Sequence, residues 1–166
     1  SDWGDIDSEI YNILSPYFTN YTESLVNGFD FYPNNLKDSG YQIQKTEPGQ
    51  YFREHSDFSI KAMTDLQLVD GHDNPCIIIR ERIFTYIIYL NDRRGMADGR
   101  TKFRCRDDVR YIEAETGKLL LFPAYSFYVH EGEELKNGVK YLMTGWGTVD
   151  TACKVIESAD DYAYRK

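Results

Sequence analysis

Much of what would mark a secreted, membrane or nucleic-acid-binding protein is scarce in this chain of 166 residues. Its three cysteines, Cys76, Cys105 and Cys153, are widely spaced and odd in number, so they form no CxxC pair and suggest no disulfide framework. That usage suits a reducing compartment, and the cytoplasm is the expected one. No apolar run approaches the roughly 18 residues needed to cross a membrane. The first residues, Ser1 to Asp5, lack the basic and apolar regions of a signal peptide. Lys and Arg number 19 against 27 Asp and Glu, a formal net charge of -8, which argues against wholesale binding to nucleic acid or an anionic membrane.

Aromatics are abundant, with 14 Tyr and 9 Phe, and aromatic and β-branched residues favour strands. Residues from about Asp7 to Val26 read as helix, with Ile10, Leu14, Phe18 and Leu25 near one stripe and Pro16 expected to split or kink it. Turn residues from Asn27 to Gly40 predict a loop. Strands are expected at Tyr41 to Thr46, around Tyr51 to His55, and over the apolar run Arg82 to Leu90. Arg100 to Arg106, Val109 to Glu113, Lys118 to Phe122, Phe127 to His130 and Lys140 to Val149 read as further strands. Between Ser59 and Glu81 the pattern weakens into a long connection with a turn cluster at Asp70 to Pro75. After Asp150 the polar tail suggests a short helix. The expectation is a single domain over residues 1–166, helical over about 5–30 and β over about 41–149. Its class is mainly β (α+β), a sandwich or jelly roll with N-terminal helices packed on it.

The chemistry-bearing residues are His55-Ser56-Asp57, then His130 and Lys140. Side chains two residues apart on a strand project from one face, so His55 and Asp57 can grip one metal ion. A second His from another strand completes three ligands on one side of it. Two His and one carboxylate with the opposite face open is the ligand set of non-haem Fe(II) oxygenases. Lys140 adds a fixed positive charge, as a buried anionic co-substrate requires, since an unpaired buried charge is costly. Taken singly, an HxD pair is weak and a strand lysine is usually solvated. The third histidine, His72, lies in the turn cluster, where polar residues are expected without a metal.

What surrounds the pair is more specific. Glu47-Pro48-Gly49-Gln50-Tyr51-Phe52 precedes His55-x-Asp57, and Arg82-x-x-Thr85, Tyr89-Leu90-Asn91-Asp92 and Gly99-x-Thr101-x-Phe103 follow. Gly117 to Pro123, His130-Glu131-Gly132, Gly138-x-Lys140-Tyr141 and Trp146 complete the order. Over roughly residues 41 to 148 the chain resembles the 2-oxoglutarate- and Fe(II)-dependent dioxygenases of the prolyl 4-hydroxylase type. The resemblance implies a double-stranded β-helix with His55, Asp57 and His130 as iron ligands. It places Lys140 at the far carboxylate of 2-oxoglutarate, helped by Tyr89, Thr101 and Thr144. The implied cofactors are Fe(II), 2-oxoglutarate and O2, with ascorbate admissible. The implied reaction hydroxylates an unactivated C–H bond and releases succinate and CO2.

Arg82 and Trp146 match positions where such prolyl hydroxylases hold the target peptide, so a peptidyl or protein prolyl residue is the leading substrate. Lysine, a free amino acid or another small molecule is the alternative within the class. Two departures weigh on specificity: Thr46 and Phe52 stand where the family often has Tyr. Nucleic acid is an unlikely substrate, because related demethylases typically use Arg where Lys140 stands. From another class, a catalytically silent metal-binding or sensing module on the same scaffold is the rival reading. Ser59 to Glu81 falls where the family carries a loop near the substrate, and closure over the site is expected of it. Arg100, Lys102, Arg104 and Arg106 alternate with Thr101, Phe103 and Cys105, giving either a solvated face compensated by acids such as Asp107 and Asp108 or a docking strip for an acidic partner.

Overall fold

The computed structural model describes residues 3–26, 36–58, 60–63 and 76–155. His72 and the rest of its turn cluster lie outside the described residues. The chain divides into two compact units, Ser1–Asn34 and Asn35–Lys166. The first contains one helix, α1 (Trp3–Val26), which runs unbroken through Pro16 rather than splitting there. Proline removes one main-chain donor from the ladder, while the hydroxyls of Thr19 and Thr22 reinforce the following turn by donating to the carbonyls of Ser15 and Phe18. No described helix is long and apolar enough to cross a membrane.

The second unit holds nine described strands: β1 (Lys37–Thr46), β2 (Phe52–His55), β3 (Ile60–Met63), β4 (Cys76–Tyr89), β5 (Thr101–Cys105), β6 (Asp108–Ile112), β7 (Leu119–Pro123), β8 (Val129–Gly132) and β9 (Lys140–Val155). They form two antiparallel sheets, the jelly-roll arrangement expected. The larger is ordered β1-β9-β4-β3, with β7 also on β4; the smaller is β2-β8-β5-β6. The largest side chains with almost no exposure, Phe84, Tyr86 and Tyr89, lie on β4. Ile87, Tyr89, Phe122 and Leu142 form a core cluster, with Phe103, Ile112 and Leu120 packed against it.

Several boundaries differ from expectation, each for a local reason. β1 starts at Lys37 instead of Tyr41, because Gly40 adopts φ 77 and bulges the strand without ending it. The weakly patterned connection contains β3, and β4 begins at Cys76, so 60–63 and 78–81 form a hairpin extension of the larger sheet. β9 continues to Val155 against Cys76 to Arg80, replacing the helix expected after Asp150. A polar composition suits a helix as well as an edge, and the ladder to β4 decides the conformation. Arg106 sits in the β5–β6 turn at φ 55, off the strand it was assigned to.

The alternation of β5 holds: Thr101 is buried and Phe103 packs inward. Its cations are not a free ribbon, however. Arg100 pairs with Glu133 at 2.7 Å, Lys102 with Glu131 at 2.7 Å and Arg104 with Glu54 at 2.8 Å. Compensation therefore comes from residues on and beside β2 and β8, rather than from Asp107 and Asp108.

Candidate active site

Two of the three expected ligands face each other on one rung of the smaller sheet, where His55 of β2 opposes His130 of β8. The ladder is irregular just before that rung: Phe52 opposes Gly132, so three steps along β2 match two along β8. The extra residue is a β-bulge, a device that re-aims a side chain beside a functional site. Asp57 lies two residues beyond the end of β2, so its place beside His55 does not come from strand pleating. Ligand atoms of His55, Asp57 and His130 lie within 4.8 Å of one another, a set that can hold a metal ion.

Each imidazole is held from behind. His55 Nδ1 lies 2.7 Å from the Arg53 carbonyl and His130 Nδ1 lies 3.1 Å from the Tyr128 carbonyl. A carbonyl only accepts, so both Nδ1 atoms donate, and the Nε2 lone pairs point to the centre. There His55 Nε2 and His130 Nε2 each stand 3.6 Å from an Asp57 oxygen. Phe103 and Phe122 pack on the His130 ring. Burial pushes the His130 pKa down, whereas the Asp57 carboxylate beside the half-buried His55 raises that of His55. For Asp57, burial acts to raise the pKa, but the adjacent His55 ring, the hydrogen bond from Thr85 and the charge of His130 outweigh it, leaving it below the usual carboxylate range. A neutral His130 and an ionised Asp57 are the protonation states that metal binding needs. Two imidazoles and a carboxylate with cavity on the remaining side suit Fe(II).

That cavity, of ≈ 330 Å3, lies between the sheets and brings together most of the predicted site: the three ligands, Thr101, Lys140, Thr144, Arg82 and Trp146. Tyr89 is the exception. It is fully buried, and its hydroxyl donates to Thr101 Oγ1 at 2.7 Å, so it reaches the cavity through Thr101. Burial raises the Tyr89 pKa to about 12, keeping it a donor. Thr144 donates to the Tyr86 carbonyl at 2.9 Å, which leaves its oxygen, rather than its proton, toward a ligand.

Lys140 is the cation of the site. Only 4% of it is exposed, and its ammonium donates to the Gly99 carbonyl at 2.7 Å. Burial, with the charge of nearby Arg93, pushes its pKa down to about 8 against a smaller opposing pull from Glu133. The supporting loop is fixed by a buried ion pair, Arg93 to Asp98 at 2.9 Å, and Asp98 also accepts the Lys136 main-chain N–H at 2.7 Å. Gly99 adopts φ 63, and a Cβ there would lie 2.6 Å from Leu135 Cδ1. A second hollow, ≈ 530 Å3, adjoins the first through Gln44, Phe52, Gly132, Leu142 and Lys140 itself. Thr46 lines it. A lysine with one neutral acceptor, set between two hollows, fits an incoming carboxylate.

At the other end of the cavity Arg82 stacks on the Trp146 ring, 3.6 Å from guanidinium carbon to ring centre. Burial lowers its pKa from the ordinary value, opposed by the charge of Asp57. Among the described residues it pairs with no other carboxylate. Gln42 and Gln44 of β1 and Thr85 of β4 also line the cavity; their site role was not read from sequence. Period-two spacing with Gln44 could have flagged Gln42, and the Arg82-x-x-Thr85 spacing held Thr85 without revealing its partner.

Comparison with known proteins agrees with this geometry. Residues 41–148 match the 2OG-Fe(II) oxygenase superfamily. The chain is 24% identical over 106 residues to a PKHD-type hydroxylase of Prochlorococcus marinus (strain MIT 9312), covering 64% of this chain and 46% of that protein. It thus spans about half the length of that curated relative. The fold resembles the viral collagen prolyl hydroxylase of Paramecium bursaria chlorella virus 1, solved as its 2OG complex, with TM-score 0.54, 19% identity and coverage of 80% of this chain and 70% of that one. It also resembles a 2OG-Fe(II) oxygenase family oxidoreductase of Burkholderia pseudomallei, with TM-score 0.53, 13% identity and coverage of 84% and 56%. The match spans most of the β unit and contains every candidate ligand: this chain belongs to the 2OG-Fe(II) oxygenase superfamily.

Proposed function

We propose that this protein is an Fe(II)- and 2-oxoglutarate-dependent hydroxylase acting on an unactivated C–H bond, with a prolyl residue of a peptide or protein as its substrate. The observation that carries the reading is Lys140: a buried ammonium with one main-chain acceptor, facing the same cavity as His55, Asp57 and His130. A structural lysine would be solvated or paired with a carboxylate.

When bound, iron and 2-oxoglutarate would supply oxidation of the substrate C–H bond coupled to release of succinate and CO2. The protein's own contribution is positional and electrostatic. His55, Asp57 and His130 would hold the iron on one side and leave the other open. Lys140, with Thr101 beside it, would take the distal carboxylate of 2-oxoglutarate and fix its orientation. Tyr89 keeps the Thr101 hydroxyl in place. Phe103 and Phe122, packed on His130, keep water from that side of the metal position. Arg82 and Trp146, on the same cavity wall, would hold the substrate; their match to peptide-holding positions in prolyl hydroxylases supports a peptide.

A second reading keeps the chemistry and changes the substrate. Among the described residues Arg82 has no carboxylate partner apart from the longer-range charge of Asp57, which suits a free amino acid or other small molecule bearing its own carboxylate. The deciding experiment is anaerobic addition of Fe(II) and 2-oxoglutarate, followed by the visible charge-transfer band, beside Asp57→Ala and Lys140→Ala. A band lost or weakened in both variants is expected. Oxygen-dependent succinate release with proline-containing peptides against free amino acids then separates the substrate readings. A wild type that binds no iron would leave only the silent scaffold.

A further inference from the structure

The metal position has three side chains around it, and two are secured in the same way, by a main-chain carbonyl behind the imidazole. Asp57 is secured differently. It lies beyond the last residue of β2, in a stretch with no strand partner among the described residues. Among the described residues, no main-chain donor holds its carboxylate. Free rotation about its terminal torsion would cost little, since such torsions are broad.

What holds it comes from the other sheet. Thr85 Oγ1 donates to Asp57 Oδ2 at 2.7 Å, across 28 residues of sequence. Thr85 sits in the middle of β4, opposite Trp146 of β9 on one side and Phe122 of β7 on the other. It is 1% exposed. A β-branched side chain in a paired central strand has a restricted χ1, so the direction of its hydroxyl is set by the sheet. Asp57 then has one oxygen, Oδ1, beside His55 Nε2, and the other, Oδ2, shared between the Thr85 hydroxyl and the His130 side.

We propose that Thr85 is a positioning residue for the metal centre. Its hydroxyl fixes the plane of the Asp57 carboxylate, so that a ligand on an unpaired stretch of chain is as pre-set as the two histidines on the smaller sheet. The proposal rests on the reading of His55, Asp57 and His130 as the metal ligands. It also ties the two sheets together at the centre: the smaller supplies both imidazoles, and the larger orients the carboxylate. Loss of the hydroxyl would free the carboxylate to turn and leave the largely buried Oδ2 without that donor. Outer partners of metal ligands of this kind are worth about 10- to 100-fold in metal affinity.

The test uses the full chain with Co(II) as probe, titrated without 2-oxoglutarate. Thr85→Val removes the hydroxyl at nearly constant shape, and Thr85→Ser restores it with less bulk. Calorimetry reads the dissociation constant, and the visible ligand-field spectrum of bound Co(II) reads the coordination geometry. The metal-free melting temperature of each variant reports folding. The expected result is that Thr85→Val folds, binds Co(II) about 10- to 100-fold more weakly and shows a changed spectrum. Thr85→Ser is expected to return affinity and spectrum to near the wild-type values. The KM for 2-oxoglutarate at saturating metal should stay unchanged, because Lys140 is untouched. Should Thr85→Val fail to fold, Thr85→Ala replaces it, with the serine variant again as rescue. Equal affinity and spectrum in the hydroxyl-free variant and wild type would overturn the proposal, and so would a serine variant as weak as valine. Absence of Co(II) binding by the wild type is a separate outcome, which would overturn the metal reading beneath it.

Discussion

Replacing Lys140 by methionine should make the metal-free protein more stable and the enzyme useless. The two effects have one cause. Burial and Arg93 lower the folded-state pKa of Lys140 from 10.5 to about 8, which at ~1.4 kcal/mol per unit is about 3 kcal/mol held against its charged form at neutral pH. Methionine has similar length and no charge, and it forfeits one charge-assisted hydrogen bond to Gly99, worth about 2 kcal/mol. The expected balance is a gain of about 1 kcal/mol, read as a rise of a few degrees in melting temperature. The pH dependence has a definite sign. Because the folded pKa lies below the unfolded one, between about 8 and 10.5 the unfolded chain binds the extra proton, so wild-type stability rises with pH through that window. The methionine variant lacks this slope. Binding behaves oppositely: a dicarboxylate needs the ammonium, so its affinity is level up to about pH 8 and then falls by up to tenfold per unit. Removing one partner of a buried charge pair costs about 2–5 kcal/mol, or roughly 30- to several thousand-fold in 2-oxoglutarate affinity. Anaerobic titrations with Mn(II) from pH 6.5 to 9.5, beside thermal melts of the metal-free protein, measure both. A methionine variant that is less stable than wild type and still binds 2-oxoglutarate would refute the reasoning.

Other consequences are as direct. Arg82→Ala should raise the KM for substrate while leaving the dissociation constants for metal and 2-oxoglutarate unchanged; a change confined to metal affinity would contradict its placement at the substrate end. Gly147→Ala should destabilise the β unit by about 1–3 kcal/mol, since its Cβ would run into the Phe84 ring on β4; denaturant melts would show it. Arg104→Gln should change stability by less than ~0.5 kcal/mol, because its ion pair with Glu54 is exposed on both sides. Metal removal by a chelator should abolish turnover reversibly, with Fe(II) alone restoring it, and irreversible loss on chelation would point to a structural metal instead.

The sequence pointed to the candidate ligands and to Lys140, which the fold brings to one cavity, because their chemistry is local to the residue type: with three histidines in the chain, the position of each speaks. It carried Arg82 to Leu90 as a strand because that run is nearly continuously apolar, as a strand buried on both faces is. The same rule failed at Cys76 to Arg80 and at Asp150 to Val155, where pairing with each other makes strands from residues that flank turn-rich or polar sequence. Gly40 looked like the end of a loop because a glycine in a bulge and a glycine in a turn are the same letter. Pro16 looked like a break because the cost of one lost hydrogen bond is visible in sequence, and the remaining ladder of α1 is not. Thr85 was in view as part of a spacing, but its bond to Asp57 crosses between sheets, and no one-dimensional pattern states that. The cations of β5 were legible as a row, while their carboxylate partners depended on which strands became neighbours.

The extra residue in β2 between Phe52 and His55 separates two properties usually thought of together. Remove Arg53 or Glu54, and Phe52 to His55 would match the opposing stretch of β8 step for step, giving a more regular ladder. His55 would still oppose His130 and share its face, but it would lose the local bend and twist with which a bulge re-aims a side chain. Such a chain would keep its ladder and present the imidazole to the other candidate ligands at a different angle. Regular pairing and the aim of one imidazole are therefore separate demands on the same four residues, and a chain one residue shorter here could satisfy the first while failing the second.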